Sequence, residues 1–263
     1  MAKKEDKALA ATTNNAMVPV PDFVDEGRVG FENVSGMTFE RITLLQQMSP
    51  ELQSDDSLQA GMVFRKSTNE VLYTPGAAAI GFSIGYYFKE WVQFGDRDDP
   101  SSPVVVARTT DPSSKMAEES RQWVKIQRGG KEVRKVTDVH NFVILRDDCP
   151  HDPVLLTCMR SNQRYGTGLL NLANGRGDVP MYAGRFLVYS EKETNKRNQT
   201  YWVYKFKNPP READQFWGSR EMYTAAKTLY EMLSEAHKDG RLGAEYGKED
   251  QGEEAPPTPD AEL

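Results

Sequence analysis

Two thiols and two imidazoles lie close together in the sequence: His140, Cys149, His151 and Cys158. Cysteine and histidine are the usual ligands of tetrahedral zinc, so this window is the first candidate for a chemical site. If residues 141–146 and 154–159 form a hairpin, however, Cys149 and His151 lie at its tip and His140 near its base. Six extended residues cover roughly 20 Å, which is too far for ligands of one ion. We therefore expect no metal and two free thiols.

Signatures of enzymes are weak in this sequence. It contains no GxxxxGK[ST], GxSxG or HExxH motif, and the Gly-Thr-Gly at 166–168 lacks the third glycine of a dinucleotide fingerprint. The paired acids at 98–99 and 147–148 could hold Mg²⁺ in a nuclease, but they flank turns that contain proline, where solvated acids are normal. We expect a protein that is not an enzyme and has no cofactor.

The net charge of −6 arises entirely from the end of the 263-residue chain. Without the acids of residues 249–263, 33 acids balance 33 lysines and arginines. Prolines interrupt this segment, which predicts a disordered acidic tail rather than a helix. We expect the tail, residues 241–263, to bind a partner or to compete with nucleic acid for cations. The residues concerned are Glu249, Asp250, Glu253, Glu254, Asp260, Glu262 and Leu263.

The neutral remainder contains two basic blocks. Residues 121–135 carry six bases and one acid, and residues 154–211 carry ten bases, three acids and eight aromatic residues. Single-stranded nucleic acid needs cations along its phosphates and flat rings for its bases, each stack contributing about 1–3 kcal/mol. Strand alternation puts Trp202, Tyr204 and Phe206 on one face, and Tyr201, Val203, Lys205 and Lys207 on the other.

This pattern predicts a nucleic-acid-binding surface with two kinds of contact. For stacking on bases we predict Trp123, Tyr165, Tyr201 and Trp202. For contacts to phosphate we predict Lys125, Arg128, Lys131, Arg134, Arg160, Arg164, Arg185, Lys196, Arg197, Lys205 and Lys207.

The elements that must position these residues are mainly short strands. Runs rich in β-branched and aromatic residues alternate with turn signals, which favours an antiparallel barrel or sandwich. A Gly-Gly pair at 129–130 predicts a hairpin, and residues 147–152 predict a longer loop. Residues 39–47 fit either a helical turn or a strand. The predicted runs are 62–65, 71–74, 82–94, 104–108, 123–127, 133–146, 154–159, 182–189 and 200–207.

Two helices fit inside this frame. Residues 161–174 begin with a good N-cap, and residues 212–237 repeat apolar positions at helical spacing through Phe216, Tyr223, Ala226, Tyr230 and Leu233. Residues 1–30 have no periodicity and predict a flexible arm. Neither a signal peptide nor a membrane span is visible, so we expect a cytoplasmic protein.

The order of these parts resembles bacteriophage single-stranded DNA-binding proteins. Three segments are also similar to phage proteins of this size: 37–52 (MTFERITLLQQMSPEL), 139–146 (VHNFVILR) and 181–189 (MYAGRFLVY). The resemblance covers roughly residues 30–240. It implies an OB-fold core over residues 31–240, cooperative coating of single-stranded DNA in replication or recombination, and tail contacts with phage or host replication proteins. This tail is less densely acidic than in such proteins and ends in Leu263 rather than an aromatic residue.

We therefore expect a mainly β (α+β) protein: an OB-like antiparallel barrel with a C-terminal amphipathic helix that binds single-stranded DNA without sequence specificity. Two alternatives remain. A virion or assembly protein would use the aromatic sheet for contacts between subunits, and an accessory factor of replication or transcription would act through the tail. The sequence leaves open whether the strand is DNA or RNA, and whether the protein forms homo-oligomers.

Overall fold

The computed structural model describes residues 39–195, 198–210, 216–239 and 242–245. This part of the chain is mainly β, as the sequence predicts. The strands are β1 (Arg41–Leu44), β2 (Val63–Arg65), β3 (Glu70–Tyr73), β4 (Ile80–Phe94), β5 (Val105–Thr109), β6 (Lys125–Arg128), β7 (Lys131–Arg134), β8 (Thr137–Arg146), β9 (Cys149–Met159), β10 (Arg185–Thr194) and β11 (Thr200–Lys207). The helices are α1 (Glu51–Ser54), α2 (Lys115–Arg121), α3 (Gln163–Asn174) and α4 (Arg220–Lys238), with 3₁₀ turns at Arg160–Asn162 and Met181–Ala183.

Nine strands form one sheet in the order β11-β10-β4-β8-β9-β1-β2-β3, with β5 paired to the second half of β4. All of its pairs are antiparallel except β1 with β9. Strands β6 and β7 form a separate hairpin. This hairpin, β5 and α2 all lie in the long connection between β4 and β8.

Strand β4 organises both sides of the sheet because its register shifts between Ile84 and Tyr86. Phe82 and Ile84 pack into a core enclosed by the curved sheet, together with residues of β8, β9, β10, β11 and α3. Beyond the shift, Tyr86 and Phe88 face α4 on the other side. A bulge produces this change of face, and it keeps both surfaces of one long strand buried.

Helix α4 covers the outer face of the sheet with Met222, Ala226, Leu229 and Leu233. The predicted amphipathic helix is therefore present, but its buried stripe differs from the predicted one. Tyr223 and Tyr230 are exposed, because the stripe through Met222 and Leu229 lies on the sheet and turns both tyrosines outward. Within the described residues, no helix is both long and apolar enough to span a membrane.

The edge strand β11 is covered by side chains rather than by another strand. The Gln46 amide donates to the backbone carbonyl of Trp202 at 3.0 Å and accepts from its N–H at 2.9 Å. The Asn162 side chain accepts from the N–H of Tyr204 at 2.8 Å. These bonds tie β11 to the segment after β1 and to the start of α3, and they occupy edge groups that would otherwise be open to another chain.

The segment between β8 and β9 corrects one prediction. Residues 147–152 do not form a long loop: β8 ends at Arg146, and β9 begins at Cys149. Pro150 and Pro153 are tolerated in β9 because they fall in its irregular part, where the register passes from Cys149 directly to Val154. Residues 39–47 contain strand β1, which settles the choice between strand and helical turn.

The other predicted runs lie on strands, with two adjustments. Residues 133–146 are divided between β7 and β8, and β10 begins only at Arg185, after a 3₁₀ turn. The helix predicted over residues 161–174 is α3, preceded by another 3₁₀ turn. Leu242 and Ala244, which lie just after α4, are buried against the same side of the sheet. The predicted arm of residues 1–30 and residues 246–263 of the tail lie outside the described residues.

Candidate nucleic-acid interface

The first basic block forms the hairpin of β6 and β7, which confirms the turn predicted at Gly129 and Gly130. Both glycines have positive φ, 53° and 75°, as a two-residue type I′ turn requires. The register places Lys125 opposite Arg134 and Arg128 opposite Lys131. Like charges directly opposite each other destabilise a strand pair unless other groups compensate them.

Trp123 lies at the entrance to this hairpin with an unusual backbone conformation. Its φ is +54°, a region that bulky residues rarely adopt and that costs on the order of 1–3 kcal/mol. The side chain is 39% exposed, and the guanidinium carbon of Arg134 lies 3.2 Å from the centroid of its ring. Trp123, a predicted stacking residue, and Arg134, a predicted phosphate-binding residue, are therefore in direct contact.

The remaining hairpin cations differ in their surroundings. The Lys125 ammonium forms an exposed ion pair with Glu132 at 3.2 Å, and Lys131 is exposed. The Arg128 guanidinium instead donates to the backbone carbonyl of Phe94, at the end of β4. Burial lowers the pKa of Arg128, and the nearby Asp96 carboxylate opposes that shift. Arg128 therefore anchors the hairpin to the sheet, whereas Lys125 and Lys131 face solvent.

In the second basic block, four predicted residues meet around one carboxylate, that of Glu193. The Lys205 ammonium lies 2.7 Å from a Glu193 oxygen, and the Tyr201 hydroxyl donates to the other oxygen at 3.2 Å. Arg164 and Tyr165, in the first turn of α3, also donate to this carboxylate. We call these five residues the Glu193 cluster.

Hydrogen bonds and ion pairs with Glu193 stabilise the charged forms of this cluster. Partial burial raises the pKa of Glu193, but hydrogen bonds from Lys205 and Tyr165 lower it by more, and the net shift is downward. For Lys205, burial lowers the pKa while the bonds to Glu193 and Tyr165 raise it, and the net shift is upward. Both groups are therefore charged at neutral pH. The sequence analysis missed Glu193, although alternation along β10 places it on the same face as Glu191, beside β11.

The other predicted cations and rings are spread over the fold. The Trp202 ring lies against Gly61, on the core side of β11 together with Tyr204 and Phe206, as strand alternation predicts. Arg185 donates to Asp147 at 2.5 Å. Arg160 lies 5.4 Å from the Phe94 ring, and Lys207 lies 5.2 Å from the Tyr189 ring. Lys196, Arg197 and the predicted tail residues lie outside the described residues.

The outer face of β8 and β9 is closed to a ligand because α4 packs on it. Val143, Leu145 and Leu155 are at most 2% exposed beneath this helix. Further along the same face, the Asn141 amide donates to the buried Glu90 at 2.8 Å and accepts from Thr157 at 3.0 Å. In the described residues, the exposed cations of the predicted interface lie on the hairpin and around β10, β11 and α3.

Tyr223 and Tyr230 of α4 are exposed and, with the half-buried Tyr182, form a separate surface that sequence reasoning did not find. The ring of Tyr182 lies 5.3 Å from that of Tyr230 and 5.5 Å from that of Tyr223. Glu231 lines the adjacent surface pocket. The predicted core role of Tyr223 and Tyr230 concealed this surface.

The histidine and cysteine window is divided between two environments. His140 is opposite Cys158 on paired strands, while Cys149 and His151 begin β9. Tyr87 and Thr167 contact the two ring nitrogens of His140, at 2.9 Å and 3.3 Å. Among the described residues, no three His, Cys, Asp or Glu side chains are grouped as metal ligands would be.

Comparison with known proteins identifies one family. No curated protein and no solved structure matches the sequence. The sequence profile of a phage family, described as Pam3 phage gp34-like protein, matches residues 11–239, well over half of the chain. This match confirms the predicted relation to phage proteins, whereas single-strand binding stays a prediction. The chain belongs to the Pam3 phage gp34-like protein family.

Proposed function

We propose that this protein binds single-stranded DNA without sequence specificity, through bases that stack on Trp123 and phosphates that contact the hairpin cations. The contact between Trp123 and Arg134 is the observation that carries this proposal. Trp123 combines a strained backbone with a partly exposed ring on a basic hairpin. Backbone strain of this kind is concentrated at functional sites, where the surrounding structure maintains it.

The strand order supports an OB-like barrel as the scaffold. Strands β4, β8 and β9 form a meander, and β10 returns through α3 to pair with β4. The resulting order, β10-β4-β8-β9, is that of a Greek key, and β11 adds the fifth strand. OB-folds bind oligonucleotides through the loops after their first and fourth strands. In this chain the corresponding connections are β4–β8, which carries the basic hairpin, and β10–β11, which by sequence carries Lys196 and Arg197.

One difference from an OB-fold affects the path that we propose for the bound DNA. OB-folds also use the face of their second and third strands, and here α4 covers that face of β8 and β9. We therefore propose that DNA contacts the hairpin and the outer side of β10 and β11. Arg164, Lys205 and Lys207 supply cations on the second surface, and Tyr201 supplies a ring.

The acidic tail fits the same function as an intramolecular competitor. By sequence, residues 249–263 carry six acids, and a tethered acidic segment would compete with phosphates for the hairpin cations at a high effective concentration. When DNA fills the interface, the released tail becomes available to phage or host replication proteins. The role that we propose is coating and protection of single strands in phage replication or recombination, in the host cytoplasm. Removal of residues 249–263 should then tighten DNA binding.

Removing each charge of one exposed ion pair in turn tests the hairpin directly. Lys125→Gln removes a phosphate contact and should weaken binding to oligo-dT, with a salt slope lower by about 0.7. Glu132→Gln, on the paired strand, removes the competing carboxylate and should tighten binding. Opposite effects of the two variants support the interface. If neither variant changes the affinity, the hairpin does not bind DNA.

One observation favours a second function, assembly through protein contacts. The rings of Tyr182, Tyr223 and Tyr230 form an aromatic surface, with Tyr223 and Tyr230 exposed, and the pocket beside Tyr230 is lined by acids and one lysine rather than by a basic patch. Such a surface suits contact with another protein subunit better than contact with DNA. Sedimentation at high salt separates the two functions: assemblies that persist there, in a protein without affinity for oligo-dT, indicate the structural role.

A further inference from the structure

Four donors converge on the Glu193 carboxylate, two on each oxygen, and so fill its acceptor sites. Arg164 and Lys205 are both cationic, and the hydroxyls of Tyr165 and Tyr201 also point at Glu193. The donors come from two elements, α3 and β11, and the acceptor Glu193 lies on β10. Their convergence is therefore built by the fold rather than by one flexible segment. Such a set of donors around an anion is the arrangement that proteins use for phosphate.

The cluster is within reach of a ligand from solvent. The Arg164 side chain is 46% exposed, and those of Lys205 and Glu193 are 23% and 20% exposed. The Lys205 ammonium also lies 4.5 Å from the centroid of the Tyr165 ring, so an aromatic face accompanies the cations. Glu193 on β10 is opposite Tyr201 on β11, next to the connection between these two strands.

We propose that the Glu193 carboxylate occupies a site for a backbone phosphate of single-stranded nucleic acid, and that it yields its donors to the phosphate when the strand binds. This inference rests on the function proposed above and adds an internal competitor to it. Arg164 and Lys205 would exchange one anionic acceptor for another, and the two tyrosines would keep their role as donors. Glu193 thereby lowers the affinity of the free protein for any anion.

The variant Glu193→Gln tests the proposal because it removes the charge and keeps the shape. Glu191→Gln is the matched control: it removes the same charge from the same face of β10, but Glu191 contacts the cluster only through Lys205, at 3.4 Å. We expect Glu193→Gln to bind oligo-dT about three- to fivefold more tightly at low salt, a change of the size that one salt bridge contributes. Its salt slope should be steeper by about 0.7, for one further phosphate contact.

The outcomes separate this inference from the proposed function. If wild-type protein binds oligo-dT and Glu193→Gln binds equally or more weakly, the phosphate site is wrong and the function stands. An equal gain in Glu191→Gln shows a general charge effect and also overturns the site.

If neither wild type nor any variant binds oligo-dT, the proposed function is overturned. A second measurement then tests the anion site by itself. The melting temperature is compared in inorganic phosphate and in chloride at equal ionic strength, since a bound anion stabilises the folded state. If phosphate raises the melting temperature more in Glu193→Gln than in wild type and Glu191→Gln, the Glu193 cluster is an anion site. Equal rises overturn it.

Discussion

The guanidinium carbon of Arg134 lies 3.2 Å from the centroid of the Trp123 ring, and the two residues differ sharply in burial. Arg134 is 8% exposed and Trp123 is 39% exposed. The arginine therefore supports one face of the ring from below, while much of the ring remains open to solvent. A base that stacks on the open face would complete a sandwich of base, indole and guanidinium, in which a cation–π contact and a stack reinforce each other.

Substitution of Trp123 should weaken DNA binding without unfolding the protein. We expect Trp123→Ala to lower the affinity for labelled oligo-dT by about 1–3 kcal/mol, the contribution of one stacked base. Fluorescence anisotropy measures this loss without relying on tryptophan emission. Trp123→Tyr is the matched control, because it keeps an aromatic face and should retain most of the affinity. Equal binding by the alanine variant and wild type would exclude this ring from the interface.

Two glycines of α3 should respond in opposite directions to the same substitution. A Cβ at Gly166 would lie 2.8 Å from that of Cys158 and 2.9 Å from that of His140, whereas a Cβ at Gly168 would have no neighbour within 4 Å. Gly166→Ala should therefore destabilise the protein by about 1–3 kcal/mol through overpacking. Gly168→Ala should stabilise it by about 1 kcal/mol through helix propensity. Urea denaturation measures both; a loss of stability in Gly168→Ala contradicts this packing.

The bonds from Gln46 to Trp202 should contribute measurably to stability. Gln46→Ala leaves the backbone N–H and C=O of Trp202 without these partners, so we expect a loss of about 1–3 kcal/mol in the free energy of unfolding. Gln47 is exposed, and Gln47→Ala serves as the control, with no expected change. Identical denaturation midpoints for the two variants would show that this contact does not stabilise β11.

The buried His140 should make the protein sensitive to mild acid. Burial, aided by the positive charge of Lys89, lowers the pKa of His140 to about 4, from an ordinary 6.5. Between these values the unfolded chain binds a proton that the folded protein does not, so stability falls as the pH falls through this window. The loss reaches about 3 kcal/mol near pH 4. NMR titration of the imidazole gives the pKa directly, and a midpoint near 6.5 contradicts the buried, neutral state.

Much of the fold could be predicted from local sequence, because strand alternation and turn chemistry act over a few residues. The Gly129-Gly130 turn and the faces of β11 are examples. The two prolines of β9 misled the prediction, since proline usually marks a loop and the irregular register that accommodates them depends on β8. The choice between Met222 and Tyr223 as the buried side of α4 depends likewise on the sheet that it covers.

The candidate site was predictable in composition but not in pairing. Basic and aromatic residue types identify both surfaces, whereas the contacts of Arg134 with Trp123 and of Lys205 with Glu193 depend on strand register. Charge runs also conceal the roles of single cations. Arg128 belongs to a basic block and yet binds a backbone carbonyl of the protein itself.

The most direct test of single-strand binding is a titration of the wild-type protein with oligo-dT at low salt, followed by tryptophan fluorescence. Trp91 is 4% exposed and Trp123 is 39% exposed, so emission from Trp123 should respond to a stacked base. We expect saturable quenching that weakens as salt rises and is greatly reduced in Trp123→Tyr. Unquenched emission at low salt, with no change in the anisotropy of labelled oligo-dT, would contradict the proposed function.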